Sequence, residues 1–228
     1  MDKLVALREV TYAAVALRIF IAVFIGGIIG FEREMKNRAA GLRTYILVCL
    51  GACIIMLTNQ YIYQATAVGD PVRMGAQVIS GIGFLGAGTI IVTKRNQIKG
   101  LTTAAGLWAT AGLGLAVGIG FYEAALSGAL AIIVVITLMQ KMDERMRRNS
   151  DRMDVFVEIS REYSLGDFLR ALKELDIDAS HFQRERDSET QSEVRAYTVT
   201  LKLAKRRLHS EVMTDVLKIP GVEYLEEL

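Results

Sequence analysis

Between positions 19 and 140 the apolar residues come in long runs broken by short polar clusters. From Lys141 onward the runs give way to short alternating segments with dense charge of both signs. A helix that crosses a bilayer needs roughly 20 mostly apolar residues, because each adds about 1.5 Å across a core of about 30 Å. Five runs meet that length, at about 13–31, 44–63, 74–92, 101–119 and 122–140. A soluble helix keeps a polar stripe on its solvent side. The run 124–139 has none, which points to lipid as the surrounding medium.

The C-terminal third follows other periods. Residues 154–160 (DVFVEIS) alternate and predict a strand. Ser164 with Asp167 three residues later predicts a helix start, and Phe168, Leu169, Leu172 and Leu175 share the face that follows. A weaker strand is predicted at 179–186, a turn at Ser188 and Glu189, and a clear strand at 194–203. Leu208, Val212, Val216 and Leu217 line a second helix, Pro220-Gly221 stops it, and 222–225 forms a last short strand. The order βαββαβ defines a ferredoxin-like α+β fold. The expected architecture is a multi-pass α-helical membrane bundle at 1–140, a basic linker at 141–152 and a soluble domain at 153–228.

Positively charged loops face the cytoplasm. Arg33, Lys36, Arg38 and Arg43 crowd the first loop, Lys94, Arg95 and Lys99 the third, and Lys141, Arg145, Arg147 and Arg148 follow the fifth run. The second and fourth loops hold little beyond Arg73 and Glu123. This alternation places the N-terminus outside and the soluble domain in the cytoplasm. Positions 1–10 are mixed in charge and do not read as a cleaved signal.

The 228 residues carry a net charge of only +2, which argues against nucleic acid as a partner. Glycine is concentrated in the apolar runs. Gly26 and Gly30, and Gly114 and Gly118, are small-xxx-small pairs that let membrane helices approach closely. Gly81, Gly83 and Gly86 match the dinucleotide fingerprint, but they lie inside an apolar run and lack its acidic partner. With Gly88 they make either a tightly packed helix or a break that lines a polar cavity.

Ionisable and polar groups in a bilayer are costly and mark structure or function. The candidates are Arg18, Glu32, Arg33, Arg43, Thr44, Asp70, Arg73, Gln77, Thr102, Thr103 and Trp108. Arg18 either snorkels to the outer interface or pairs with Asp70, and Glu32 can pair with Arg43. Trp108, near the middle of its run, is expected to pack against protein. Mg²⁺ prefers carboxylates in near-octahedral array. The nearby acids Glu32, Asp70 and Glu123 are few, are split between two faces and are accompanied by arginine, so the metal ligands stay unassigned. Cys49 and Cys53 read as packing residues, and His181 and His209 as isolated surface residues. No nucleophile–base pair, Cys/His cluster or phosphate loop suggests an enzyme, and no cofactor is expected beyond Mg²⁺ as a ligand.

Three segments carry a resemblance to a known family. They are Gly30-Phe-Glu-Arg-Glu34 with Ala40-Gly-Leu-Arg-Thr44; Asp70-Pro-Val-Arg73 leading through Gln77 to Gly81-Ile-Gly-Phe-Leu-Gly-Ala-Gly88; and Gly100-Leu-Thr-Thr-Ala-Ala-Gly-Leu-Trp108 with Gly118-Ile-Gly-Phe-Tyr122. In this order they resemble the MgtC/SapB family of bacterial membrane proteins, over residues from about 17 to 123. The resemblance implies a plasma-membrane location, a cytoplasmic C-terminal domain similar to ACT ligand-binding domains, and adaptation to low magnesium, with host survival in pathogens. The expected function is non-enzymatic regulation of another membrane protein complex, with the soluble domain as ligand or partner sensor. The alternative is transport of Mg²⁺ or another ion. The glycine faces and the open sheet edge suggest a homodimer.

Overall fold

The computed structural model describes residues 9–93, 97–142, 145, 150–184, 194–204 and 207–228. Lys94, Arg95, Arg147, Arg148 and the Ser188–Glu189 turn lie outside them. The chain forms two compact units, Met1–Thr137 and Leu138–Leu228.

The first unit is a helical bundle. Helix α1 spans Tyr12–Met35, and its N-cap Thr11 accepts a hydrogen bond from the Ala14 amide at 3.2 Å. Helix α2 spans Leu42–Thr66. Its N-cap is Gly41, which has no side chain to cap with, and Glu34 Oε2 of α1 fills the role by accepting from the Leu42 amide at 2.8 Å. Helix α3 spans Arg73–Gly88, followed by a hairpin of β1 (Ile91–Val92) and β2 (Ile98–Lys99). Helix α4 spans Leu101–Gly118, and α5 spans Tyr122–Val134 and runs on through a π-helical turn at Val135–Met139.

Among the described residues four helices are long and apolar enough to cross a membrane: Tyr12–Met35, Leu42–Thr66, Leu101–Gly118 and Tyr122–Met142. The third apolar run differs. Its helix has 16 residues, about 24 Å, and Gly81 to Gly86 lie within it without a break. A Cβ at Gly75 would sit 3.3 Å from Met56 Sδ and 3.8 Å from Leu115, near the far ends of α2 and α4. Gly86 faces Ala104 near the start of α4. Thus α3 runs antiparallel to α4 over most of its depth, and the hairpin takes up residues that the apolar run assigned to a longer helix.

Glycine divides the bundle into close and open contacts. A Cβ at Gly26 would lie 2.7 Å from the Tyr45 carbonyl oxygen, and one at Gly30 would lie 2.8 Å from Leu42 Cα. At Gly118 it would meet the Cys53 carbonyl oxygen at 2.6 Å, and at Gly114 it would meet Ala52 Cβ at 2.8 Å. Backbones so near one another leave no room for a side chain. Gly81, Gly83 and Gly88 are different: nothing among the described residues lies within 4 Å of an added Cβ, and Gly86 makes only ordinary contact. The expectation that these four seal a tight interface is corrected, because their helix turns much of its surface outward.

The second unit is the α+β domain. Strand β3 spans Arg152–Ser160, α6 Leu165–Glu174, β4 Ile177–Arg184, β5 Val194–Leu203, α7 His209–Leu217 and β6 Val222–Glu227. The antiparallel sheet runs β4-β5-β3-β6, the ferredoxin-like order. Ser164 caps α6: its hydroxyl accepts from the Asp167 amide at 3.1 Å and donates to Asp167 Oδ2 at 2.8 Å. One sheet face and both helices bury Val155, Val157, Phe168, Leu172, Val199 and Val212, among others, in a single core.

Candidate functional site: buried arginines and a lateral groove

Polar chemistry in the bundle gathers at its two ends. Arg18 projects from α1 and is fully buried. Its Nη1 donates to Gln60 Oε1 at 2.6 Å and to the Gly118 carbonyl at 2.8 Å. Its Nε donates to Tyr122 Oη at 3.2 Å, and Nη2 to the Glu9 carbonyl at 3.4 Å. A guanidinium is a planar fork of five donors, and these acceptors from three helices and the chain before α1 hold it in place. Snorkelling is therefore corrected: the charge is held inside protein. The Arg18–Asp70 pair is corrected too, since Asp70 Oδ1 accepts from the Val72 amide at 2.9 Å and holds the turn that leads into α3. Pro71 in that turn accepts from Asn59 Nδ2 of α2.

The other end holds Arg33, only 3% exposed, whose Nη2 donates to Thr103 Oγ1 at 3.1 Å. Tyr45 Oη donates to the Thr103 carbonyl at 3.5 Å, and Gly106 leaves space for that ring, since a Cβ there would lie 2.5 Å from Tyr45 Oη. Glu32 faces Lys36, with Nζ 2.7 Å from Oε1. The Glu32–Arg43 pair is corrected: a lysine one turn along the same helix reaches the carboxylate first. Glu32 Oε2 and Arg33 Nε are buried and have no hydrogen-bond partner among the described residues. Thr102, next to Thr103, is exposed.

Arg43, Thr44, Arg73 and Gln77 lie elsewhere, the first two towards one end of a groove and the last two towards the other. This open groove of about 880 Å³ lies between α2 and α3, with apolar walls that include Leu47, Ile55, Ile82 and Leu85. Trp108 is 52% exposed and turns away from the bundle, so the expected packing against this chain is corrected. Mid-run position fixed its depth but not its direction around α4.

Among the described residues no group of three His, Cys, Asp or Glu side chains could hold a metal ion. Cys49 and Cys53 are free and buried. In the second unit His181 is exposed, whereas His209 is 9% exposed, against the surface position expected of it. Its Nδ1 lies 2.8 Å from Glu227 Oε1 and its Nε2 3.1 Å from the Ser150 carbonyl. Two acceptors explain why a polar ring sits inside.

Sequence reasoning did not single out Tyr45 or Gln60, and it named Glu34 and Tyr122 only within the segments that carry the family resemblance.

An apolar bundle with cations buried at both ends, joined in one chain to a ferredoxin-like domain, defines a multi-pass membrane protein with a soluble appendage. Residues 19–145 match the MgtC family, and the chain belongs to that family. It is 32% identical over 216 residues to protein SapB of Bacillus subtilis, covering 91% of this chain and 92% of that one. It is 34% identical over 162 residues to the "Putative magnesium transporter YhiD" of Escherichia coli K12, covering 69% of this chain and 75% of the relative. It is 39% identical over 132 residues to protein MgtC of Salmonella typhimurium LT2, covering 58% of this chain and 55% of the relative. None of these three carries an enzyme's name. No solved structure matches the chain.

Proposed function

We propose that this protein is a non-enzymatic regulator in magnesium homeostasis that acts on a neighbouring protein in the bacterial plasma membrane. The observation that carries this reading is the sign of the buried charge. Arg18 stands inside one end of the bundle and Arg33 inside the other. A buried guanidinium raises an electrostatic barrier to a cation on the same path, as positive groups do in pores that exclude cations. Mg²⁺ also needs oxygen ligands and gives up its water reluctantly. In this bundle the amide of Gln60 and the hydroxyls of Thr103 and Tyr122 already serve the arginines or lie beside them.

The basic first loop supports a cytoplasmic position for the Arg33 end and for the soluble unit. There the ferredoxin-like, ACT-like domain senses a ligand or docks a partner, which is fold analogy. Trp108 supports a protein partner at mid-depth: its indole N–H has no hydrogen-bond partner among the described residues, and hydrocarbon supplies none.

The name of the Escherichia coli relative favours a second reading, Mg²⁺ transport. Flux into liposomes that contain the purified full chain separates the two. Regulation expects Mg²⁺ entry no faster than in empty liposomes, together with recovery of a defined membrane protein by affinity capture from magnesium-limited cells. Specific flux lost on Glu32→Gln would replace regulation with transport.

A further inference from the structure

The groove between α2 and α3 needs an occupant that the proposed regulatory role does not supply. One wall is α2, long and apolar enough to cross a membrane, and the other is α3, which runs alongside α4, so the apolar trough lies at membrane depth. Gly51 and Gly81 keep it wide, with nothing among the described residues within 4 Å of a Cβ added at either. Water does not fill such a trough at membrane depth, because its walls offer almost no hydrogen-bonding groups. A flexible chain does.

Charge narrows the choice. Arg43 and Thr44 mark the groove's end at the start of α2, and Arg73 and Gln77 lie towards the other end. Among the described residues no acidic side chain lines the groove. The described residues give the guanidinium of Arg43 neither an ion pair nor a hydrogen bond. A guanidinium at the edge of hydrocarbon seeks a phosphate, which it can hold bidentately. The Thr44 hydroxyl is the adjacent donor.

Length agrees. From Arg43 to Ile55 the wall of α2 runs 12 residues, about 18 Å, against about 15 Å for the depth of one leaflet. We infer that the groove is a binding site for one anionic phospholipid, with its phosphate at Arg43 and Thr44 and an acyl chain laid past Leu47 and Gly51 towards Ile55. The occupant is a lipid and not a partner's helix because Arg43, unpaired among the described residues, and the absence of an acid among the described lining residues suit an anionic head, and because the walls below it are apolar.

Native mass spectrometry of the full chain in mild detergent, titrated with phosphatidylglycerol or phosphatidylcholine, tests this. Phosphatidylglycerol is expected to bind about tenfold more tightly, a loss of preference expected when Arg43→Gln removes the charge-assisted bonds. Gly51→Leu is expected to weaken both lipids by filling the channel for the chain while leaving Arg43 in place. An unchanged elution volume shows that each variant is folded. Equal binding of the two lipids, an unaltered preference in Arg43→Gln, or full displacement by inorganic phosphate overturns the inference. So does a photo-crosslinker at Leu85 that captures a membrane protein and no lipid in native membranes.

Discussion

Arg18 Nη1 lies 2.8 Å from the carbonyl oxygen of Gly118, the last residue of α4, so a cation carried by α1 closes the end of another helix 100 residues away. The last carbonyls of a helix have no intrahelical donor, and a cation there also opposes the negative end of the dipole. Replacing Arg18 by Leu removes the guanidinium bonds to the Gly118 carbonyl and the Gln60 amide oxygen. A loss of about 2–4 kcal/mol is expected from breaking a buried charged network on one side. Thermal unfolding in mild detergent should show a clear fall in Tm for Arg18→Leu, and for Arg18→Lys as well, since a lysine cannot span acceptors so widely spread.

The two classes of glycine make opposite predictions. At Gly114 an alanine methyl would press on the Cys49 carbonyl and on Ala52, which is 2.8 Å away. Helix separation would have to grow, at a cost of about 1–3 kcal/mol. At Gly83 an added methyl meets nothing among the described residues, so Gly83→Ala should be neutral or stabilising by up to about 1 kcal/mol through helix propensity. Detergent unfolding of the two variants beside the parent checks this. A similar cost at both positions would mean that the face of α3 carrying Gly83 is packed in the purified protein and not open.

Much of the fold was legible because solvent contrast writes it into the sequence. In the soluble domain one strand face meets water and the other meets oil, so the alternation at Val194–Leu203 located β5, and Ser164 with Asp167 located the start of α6. In the bundle both surroundings of a helix are apolar. Hydropathy gave depth but no azimuth, which is why Trp108 was assigned inward and is found outward, and why Arg18 stood between snorkelling and pairing. The partners of Arg18 come from positions 9, 60, 118 and 122, separations that no local pattern encodes. His209 was misplaced for the same reason: Glu227 and Ser150 reach it only through the closed sheet.

Trp108 offers a test of the regulatory reading that leaves folding alone. Half its surface is outside the bundle, so Trp108→Ala should cost less than about 1 kcal/mol in detergent. Exposed tryptophans that anchor an interface typically lose about 2 kcal/mol or more of association on truncation. Co-purification of a membrane partner should therefore drop sharply in a variant with the parent's Tm. Equal drops in both properties would make Trp108 a packing residue.

Asp215 supplies a pH dependence with a definite sign. Arg207 Nη2 lies 2.5 Å from its Oδ2 and Lys218 Nζ lies 3.1 Å from its Oδ1, and hydrogen bonds from these two cations hold the carboxyl below its usual value of 3.8. A depressed carboxylate stabilises the fold above the unfolded-state pKa, and that contribution disappears as pH falls through the folded-state value. The contribution is fully present at neutrality, and its loss is confined to the acid side of about pH 4. Because the carboxyl is partly exposed and its cations reach solvent, its worth is small and screened by salt. Carbon-detected NMR titration of the full chain in micelles should place the Asp215 midpoint below 3.8, and Lys218→Ala should move it back up. A midpoint at or above 3.8 in low salt would show that the two cations do not hold this carboxylate in solution.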